Sequence, residues 1–316
     1  MRLCGRVWTV LGLIGWLLVG CASGPNAADR QAAGQDLPGF DADYPPAMHE
    51  LSFNSGGSKL NGLLYVANGA GPHPLVILLH GYPGNERNLD LAQALRRAGN
   101  NVLYFNYRGT WGSGGEFLPS RALEDGARAV ALARDAEWAE RYRVDPSRVA
   151  LVGHSFGGFV GAINTAADPS VSCLAFLAGA NIGALGTRAL ADESFRQGFE
   201  QAMGASIDSE GGPVRGDAGQ LIREIMNRAA EFDVNKRALA LSAHPLLLVA
   251  GSRDAVLPIA EHHQPLVEAL RAVGAASMTV QVYDDDHAFS AHRVELAALL
   301  GDWIQNQCWV PPAAQE

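Results

Sequence analysis

The sequence predicts an α/β fold: a mostly parallel sheet of about eight strands, flanked by helices and carrying a helical insertion. Three observations support this fold class. Short, nearly all-apolar runs are typical of strands covered on both faces. These runs alternate with segments whose apolar residues recur every three to four positions, as in helices. One long segment between two of the predicted strands has helical patterns of its own.

The first two strands are predicted at residues 51–54 and 60–67, paired antiparallel around a Gly-Gly turn, and they would form one edge of the sheet. Further strands are predicted at 75–79, 102–105, 149–152, 171–177, 246–250 and 279–283. Helices are predicted at 89–98, 121–139, 156–167, 260–273 and 292–305.

The insertion covers about residues 181–242, a length at which a structureless loop is improbable in a packed domain. Helical patterns occur within it at 195–203 and 221–232. We interpret it as a helical cap above the sheet, where active-site lids lie. The alternative is a peripheral decoration of the domain.

The amino end has the pattern of a secretory signal peptide over residues 1–20. Arg2 and Arg6 precede an apolar run at 7–19, which is shorter than the roughly 20 residues of a membrane span. A short anchor helix is the alternative. The sequence Leu-Val-Gly-Cys at 18–21 resembles the lipobox of bacterial lipoproteins, which implies cleavage before Cys21 and acylation of that cysteine.

The lipobox resemblance implies a bacterial cell-envelope protein held at a membrane surface by its lipid. Ala22 favours the periplasmic face of the outer membrane if the host is Gram-negative. Residues 21–46 have few large apolar side chains and are predicted to be a flexible tether. The folded domain is then predicted over residues 47–312.

Composition limits the remaining classes of function. The chain has 316 residues, 48% of them hydrophobic, and a net charge of −9, so it is globular and presents no basic stripe for nucleic acid. Once Cys4 is removed and Cys21 acylated, only Cys173 and Cys308 can pair. A disulfide is possible in the envelope, but a buried thiol at Cys173 is the favoured expectation.

The strongest motif is Gly-His-Ser-Phe-Gly at 153–157, which directly follows the predicted strand at 149–152 and precedes a helix. This is the strand-turn-helix context of a nucleophile elbow, so Ser155 is the candidate nucleophile. A side chain at position 153 or 157 is expected to clash with the neighbouring backbone. The following helix would direct its amino-terminal N–H groups at developing negative charge.

A second loop, His-Gly-Tyr-Pro-Gly at 80–84, follows the strand at 75–79 and therefore lies at the same edge of the sheet. With these motifs the chain resembles the α/β-hydrolase family over nearly all its length after Met48. The resemblance implies an oxyanion hole formed by the backbone N–H groups of Tyr82 and Phe156. His80 is expected to shape the loop, and the Tyr82 ring to line the pocket, with its hydroxyl reaching substrate as the alternative.

The base and the acid follow the last two strands. His287 ends the run Asp-Asp-Asp-His after the strand at 279–283, and is the candidate base. Asp254 leaves the strand at 246–250 as the family's acid loop does, and is the candidate acid. Ser155, Asp254 and His287 then occur in the chain order that this fold imposes.

The other histidines are not expected to act as the base. His154 should point away from the site, and three others lie away from the catalytic edge: His49, His73 and His244. Three more are expected at the surface: His262, His263 and His292. The acidic run at 284–286 is interpreted as a solvated loop and not as a metal cluster, so no metal and no cofactor is predicted.

The predicted function is that of a serine hydrolase that cleaves carboxylic esters of a small acyl substrate through an acyl-enzyme on Ser155. The motifs and the loop at 106–115 also resemble dienelactone-hydrolase-like and prolyl-oligopeptidase-like branches of the family, so a peptidase or amidase is the first alternative. The chain has no room for the propeller of prolyl oligopeptidases. An inactive envelope binding protein is the second alternative, against which the intact triad argues.

Overall fold

A computed structural model describes residues 36–37, 39–207 and 212–309. The predicted signal peptide at 1–20 and the predicted lipidation site Cys21 lie outside the described residues. The last part of the predicted tether contacts the domain: the Asp41 N–H donates to the Asn68 side chain at 2.8 Å, and the Gly69 N–H donates to the Tyr44 carbonyl at 2.9 Å. The flexible tether over residues 21–46 stays a prediction, and these two bonds place the backbone of Asp41 and Tyr44 against the domain.

The strands are β1 Ala47–Ser55, β2 Ser58–Val66, β3 His73–Leu79, β4 Asn101–Phe105, β5 Val144–His154, β6 Cys173–Leu177, β7 Leu246–Gly251 and β8 Met278–Tyr283. They form one sheet of eight strands in the order β1-β2-β4-β3-β5-β6-β7-β8. Strand β2 is antiparallel to both of its neighbours, and every other neighbouring pair is parallel. The predicted mostly parallel sheet with a hairpin at one edge is confirmed.

The continuous apolar runs arise because the central strands are covered on both faces. Along β3, Leu75, Ile77 and Leu79 belong to the hydrophobic cluster on one side of the sheet. Val76 and Leu78 belong to the cluster on the other side. Since neighbouring residues of a strand face opposite ways, both sets must be apolar to be buried.

The helices are α1 Leu89–Arg97, α2 Pro119–Ala133, α3 Ala136–Arg141, α4 Phe156–Ala167, α5 Ile182–Ala191, α6 Glu193–Gly204, α7 Ala218–Asn227, α8 Ala238–Leu241, α9 Ile259–Ala272 and α10 Arg293–Trp303. The single helix predicted at 121–139 is two helices. A new helix begins after Asp135, whose side chain accepts from the Trp138 N–H at 2.9 Å and caps α3. In the described part of the chain, no helix has both the length and the apolar character needed to cross a membrane.

The insertion between β6 and β7 contains α5 to α8 and a 3₁₀ turn at Val234–Arg237. Helices α6 and α7 overlap the two helical patterns predicted there, but α5 was not predicted. The reason lies in Gly183 and Gly186 of α5, which weaken its helical signal. A Cβ on Gly183 would lie 2.3 Å from the Ala229 carbonyl oxygen, and one on Gly186 would lie 2.4 Å from the Ile225 carbonyl oxygen. Close backbone packing, and not helix propensity, selects these glycines.

Cys173 and Cys308 form a disulfide, with their Cα atoms 5.4 Å apart. The expectation of a buried unpaired thiol at Cys173 is therefore wrong, although both residues are buried. Cys173 begins the central strand β6, whereas Cys308 ends the π-helical turn Ile304–Cys308 that follows α10. The two cysteines are 135 positions apart in the sequence, so the sequence does not indicate that they are close. They come together only when the sheet folds.

Removing this disulfide should lower the free energy of unfolding by about 2–5 kcal/mol, because the cross-link closes a long loop in the unfolded chain. The measurement is urea unfolding with and without a thiol reductant. The Cys173→Ser/Cys308→Ser double variant is the control, since the reductant should not shift its midpoint further. Coincident midpoints for the reduced and oxidised wild type would contradict the prediction.

Candidate active site

Ser155 occupies a sharp turn between β5 and α4, with φ of 57° and ψ of −121°. A non-glycine residue with positive φ is strained, and such strain clusters at functional sites. A Cβ on Gly153 would lie 2.1 Å from the Gly157 carbonyl oxygen, and one on Gly157 would lie 2.1 Å from the Leu79 carbonyl oxygen. The clash expected for side chains at both positions is therefore confirmed.

His287 and Asp254 are joined by a short hydrogen bond in which His287 Nδ1 donates to Asp254 Oδ2 at 2.6 Å. The other carboxylate oxygen, Oδ1, accepts the backbone N–H groups of Val256 and Leu257, each at 2.8 Å. The Asp254 side chain is 2% exposed and that of His287 is 18% exposed. With its proton held on Nδ1, the imidazole presents Nε2 as a proton acceptor.

The loops that carry these two residues pack directly against each other. The Arg253 N–H, one residue before Asp254, donates to the Asp285 carbonyl at 2.9 Å. Gly251 permits this approach, because a Cβ there would lie 2.6 Å from the Asp285 carbonyl oxygen. Since β7 and β8 are parallel neighbours, their carboxyl ends place acid and base side by side.

Asp285 is buried, so the expectation of a solvated acidic loop is wrong at this position. Its carboxylate accepts the Ala291 N–H at 3.0 Å and His292 Nδ1 at 2.8 Å. These bonds close the loop that carries His287. The helix predicted at 292–305 would include His292. The observed helix α10 begins one residue later, so His292 lies just before it. Among the described residues, no group of three or more His, Cys, Asp or Glu side chains could hold a metal ion.

His154 lies against the candidate base, so the expectation that it points away from the site is wrong. Its ring centroid is 4.8 Å from that of His287, and its Nε2 is 2.8 Å from the His287 carbonyl oxygen. The strand end that carries Ser155 is thus in contact with the loop that carries His287. In the described part of the chain, the Ser155 hydroxyl makes no hydrogen bond.

The predicted surface histidines of α9 are buried: His262 is 3% exposed and His263 is 4% exposed. Both histidines lie on the buried face of the helix, together with Leu266 and Leu270. The apolar periodicity of the sequence did not place them on that face. Burial lowers the pKa of His262 and lowers the pKa of His263 to about 4.

His80 is buried, and its Nδ1 donates to the Gly81 carbonyl at 2.6 Å. Burial lowers the pKa of His80 to about 4, so the ring is neutral near pH 7. Its ring packs against Tyr107, with centroids 4.4 Å apart. These contacts fit the expected role of shaping the loop.

The loop after β3 passes directly beside Ser155, because a Cβ on Gly81 would lie 3.3 Å from the Ser155 hydroxyl oxygen. Phe156 is the first residue of α4, and the N–H groups of a first helical turn have no acceptor within the helix. The Phe117 ring packs between the two oxyanion candidates, with its centroid 5.2 Å from that of Tyr82 and 5.3 Å from that of Phe156. Ring contacts through Phe117 therefore connect the two oxyanion candidates.

The Tyr82 hydroxyl donates to the Met203 carbonyl in α6 at 2.6 Å. The side chain therefore connects the loop after β3 with the insertion, a contact that the sequence did not predict. Helix α6 has no fully buried residue, whereas the adjacent α7 buries Leu221, Ile222 and Ile225. The hydrogen bond from Tyr82 is thus one of the contacts that hold α6 over this edge of the sheet.

The strand order and the loops that meet at the carboxyl edge define the α/β-hydrolase fold. Residues 74–206 match the family model of the α/β-hydrolase fold. The Est1E structure from Butyrivibrio proteoclasticus is similar, with a TM-score of 0.65 and 19% identity, covering 81% of this chain and 98% of that chain. The Pyrococcus furiosus esterase Pf2001 is also similar, with a TM-score of 0.60 and 18% identity. The match covers 83% of this chain and 92% of that chain.

An acylaminoacyl peptidase from Pyrococcus horikoshii also shares the fold, with a TM-score of 0.61 and 15% identity, covering 86% of this chain and 43% of that chain. An uncharacterized protein of Mycobacterium tuberculosis is 34% identical over 105 residues, which are 33% of this chain and 36% of that protein. The quorum-quenching protein AidA of Acinetobacter baumannii is 32% identical over 120 residues. These residues are 36% of this chain and 38% of that protein.

The matches to these two relatives thus span little more than a third of either protein's length. The matched segment at 74–206 and the shared topology together show that the chain has the α/β-hydrolase fold.

Proposed function

We propose that the protein is a serine hydrolase that cleaves carboxylic esters of a small acyl substrate, with Ser155, His287 and Asp254 as its triad. The observation that carries the proposal is the buried hydrogen bond of 2.6 Å between His287 Nδ1 and Asp254. It leaves Nε2 as the proton acceptor at the sheet edge where Ser155 occupies its strained turn. The likeness to the Pyrococcus furiosus esterase Pf2001 agrees with this reaction class.

The reaction would begin when Ser155 Oγ attacks the ester carbonyl carbon while His287 Nε2 takes the hydroxyl proton. The carbonyl oxygen becomes negative and accepts hydrogen bonds from the N–H groups of Tyr82 and Phe156. The imidazolium then gives its proton to the departing alcohol, which leaves an acyl group on Ser155. Water, deprotonated by His287, attacks that acyl group and releases the acid.

A fluorophosphonate probe tests the nucleophile, because it reacts with activated serines. We expect one covalent adduct, which peptide mapping places on Ser155. Absence of an adduct, or an adduct on another serine, would refute the proposal. Failure of the wild type both to react with the probe and to hydrolyse any ester would instead favour an inactive envelope binding protein.

The second candidate is a peptidase or amidase, which the likeness to the Pyrococcus horikoshii acylaminoacyl peptidase favours. Rates on p-nitrophenyl esters and on aminoacyl anilides separate the two reactions. We expect faster hydrolysis of the esters, because the loss of an alcohol needs less assistance than the loss of an amine. A clear preference for the anilides would select the peptidase.

We further propose that lipid on Cys21 holds the enzyme at a membrane surface of the bacterial cell envelope, on the periplasmic face of the outer membrane in a Gram-negative host. The lipobox-like residues 18–21 support this location, and so does the Cys173–Cys308 disulfide, since disulfides persist in oxidising compartments.

Replacing Cys21 by Ser should abolish acylation, because serine offers no thiol for the lipid. The intact mass should lose the acyl chains, and the variant should leave the membrane fraction or stay as an uncleaved precursor. An unchanged mass together with unchanged membrane fractionation would rule out the lipid anchor.

A further inference from the structure

His154 ends β5 one residue before Ser155, and its side chain makes contacts that the proposed reaction does not use. The residue is 3% exposed. Its ring lies against the His287 ring, with centroids 4.8 Å apart, and meets Phe289 edge-on at 6.3 Å. A histidine placed only to fill space would not need a polar contact with the base loop.

The polar contact has a defined direction. His154 Nε2 lies 2.8 Å from the His287 carbonyl oxygen, and because a carbonyl only accepts, Nε2 must carry the proton. His154 Nδ1 is buried and has no hydrogen-bond partner among the described residues. This combination fits a neutral ring that donates through Nε2, since a second proton on Nδ1 would be buried without an acceptor.

The neutral state also suits the chemistry of its neighbour. Burial, and secondarily the nearby His287, lower the pKa of His154 to about 4. His287 becomes positively charged when it accepts the Ser155 proton, and a second cation 4.8 Å away would oppose that charge. The other charged or titratable groups that act on this pair are Asp254, His262 and Arg293.

We infer that His154 is a positioning residue for His287, and that its hydrogen bond ties the backbone of the base loop to the strand end that carries Ser155. Asp254 holds the His287 imidazole at Nδ1, and His154 holds the His287 backbone carbonyl. The base is therefore held at two points. This inference rests on the proposed function. Misplacement of a catalytic group by about 1 Å can cost on the order of 100-fold in rate.

Two amide variants separate the hydrogen bond from the burial of the ring. The side-chain N–H of Gln in His154→Gln can reach the position of Nε2, whereas the Asn side chain in His154→Asn is one methylene too short. We expect His154→Asn to lower kcat on a p-nitrophenyl ester by about 10- to 100-fold, with KM changed less than about threefold. His154→Gln should remain within about threefold of the wild type in kcat, because the donor is retained.

His244 provides the matched control. It is also a buried histidine that donates to a backbone carbonyl, from Nδ1 to Val171 at 2.9 Å, but it lies at the opposite end of the sheet. His244→Gln removes a ring of the same kind without touching the base loop, so its kcat should stay within about twofold of the wild type.

A second readout does not need substrate. The proton between His287 Nδ1 and Asp254 Oδ2, held across 2.6 Å, should give a far-downfield proton NMR signal. The signal should persist in the wild type and in His154→Gln, and should move upfield or broaden in His154→Asn. If the wild type hydrolyses no ester, the proposed function is refuted. The NMR signal would still test whether His154 positions His287.

The inference is overturned if the Asn and Gln variants have equal kcat and the same NMR signal. If His154→Asn does not fold, a folded His154→Gln whose kcat falls more than about tenfold overturns it as well. Retention of kcat and of the NMR signal in that Gln variant supports it.

Discussion

Replacing Ser155 by Ala should lower kcat for ester hydrolysis by at least about 10⁴-fold, because the variant lacks the hydroxyl on which the proposed acyl-enzyme forms. The variant should also lose its reaction with the fluorophosphonate probe. A small residual rate over water is expected, since the oxyanion donors and the binding surface remain. Kinetics on a p-nitrophenyl ester and intact mass after labelling measure both effects.

The fold should tolerate this substitution. The Ser155 hydroxyl makes no hydrogen bond within the described chain, and Ala has the same Cβ as Ser at the positive φ of 57°. The midpoint of thermal unfolding should therefore change little, which separates a catalytic effect from misfolding. Ser147→Ala, at an exposed position near the start of β5 and at the opposite end of that strand from Ser155, is the control and should keep full activity. Equal labelling of Ser155→Ala and the wild type would contradict the assignment.

The parts of the site that sequence could predict are those encoded by local pattern plus sheet direction. The glycines at 153 and 157 indicate the turn at Ser155, because any other residue there would place its Cβ 2.1 Å from a carbonyl oxygen. The position of Asp254 and His287 follows from a simple rule: loops after parallel strands meet at one edge. The hydrogen bond between these two side chains has the geometry that this rule implies.

The parts that sequence could not predict depend on contacts between distant segments. The Cys173–Cys308 disulfide joins residues 135 positions apart, and its cysteines carry no spacing signal. Asp285 is indistinguishable by composition from its exposed neighbour Asp284, yet it is the one that accepts from His292. Only the path of the folded loop determines which carboxylate turns inward.

The supporting contacts of the site were missed for the same reason. His154 lies in the motif that identified Ser155, but nothing in the motif states that its ring faces His287. The sequence predicts that the Tyr82 ring lines the pocket, with its hydroxyl reaching substrate as the alternative. The hydroxyl instead donates to the Met203 carbonyl, in an insertion whose position on the domain the sequence does not define. Residue types can therefore identify the reacting groups sooner than the groups that hold them in place.

Replacing Asp254 by Asn should lower kcat by about 10³- to 10⁴-fold, although the variant side chain has nearly the same shape. In the wild type, Asp254 Oδ1 accepts the N–H groups of Val256 and Leu257, and Oδ2 accepts from His287 Nδ1. The two backbone donors require an acceptor, so the amide oxygen of Asn should take the place of Oδ1 and its NH₂ group should face the imidazole.

An NH₂ group that faces Nδ1 reverses the roles at that bond. Nδ1 would become the acceptor, and the neutral ring would carry its proton on Nε2, where it cannot take the proton of Ser155. The unfolding midpoint should change little, because both backbone donors keep a partner. Asp284→Asn is the matched control, since that side chain is 82% exposed and pairs with Arg253 away from the imidazole. If Asp254→Asn loses less than about tenfold in kcat, the carboxylate does not set the tautomer of His287, and a different residue must orient the base.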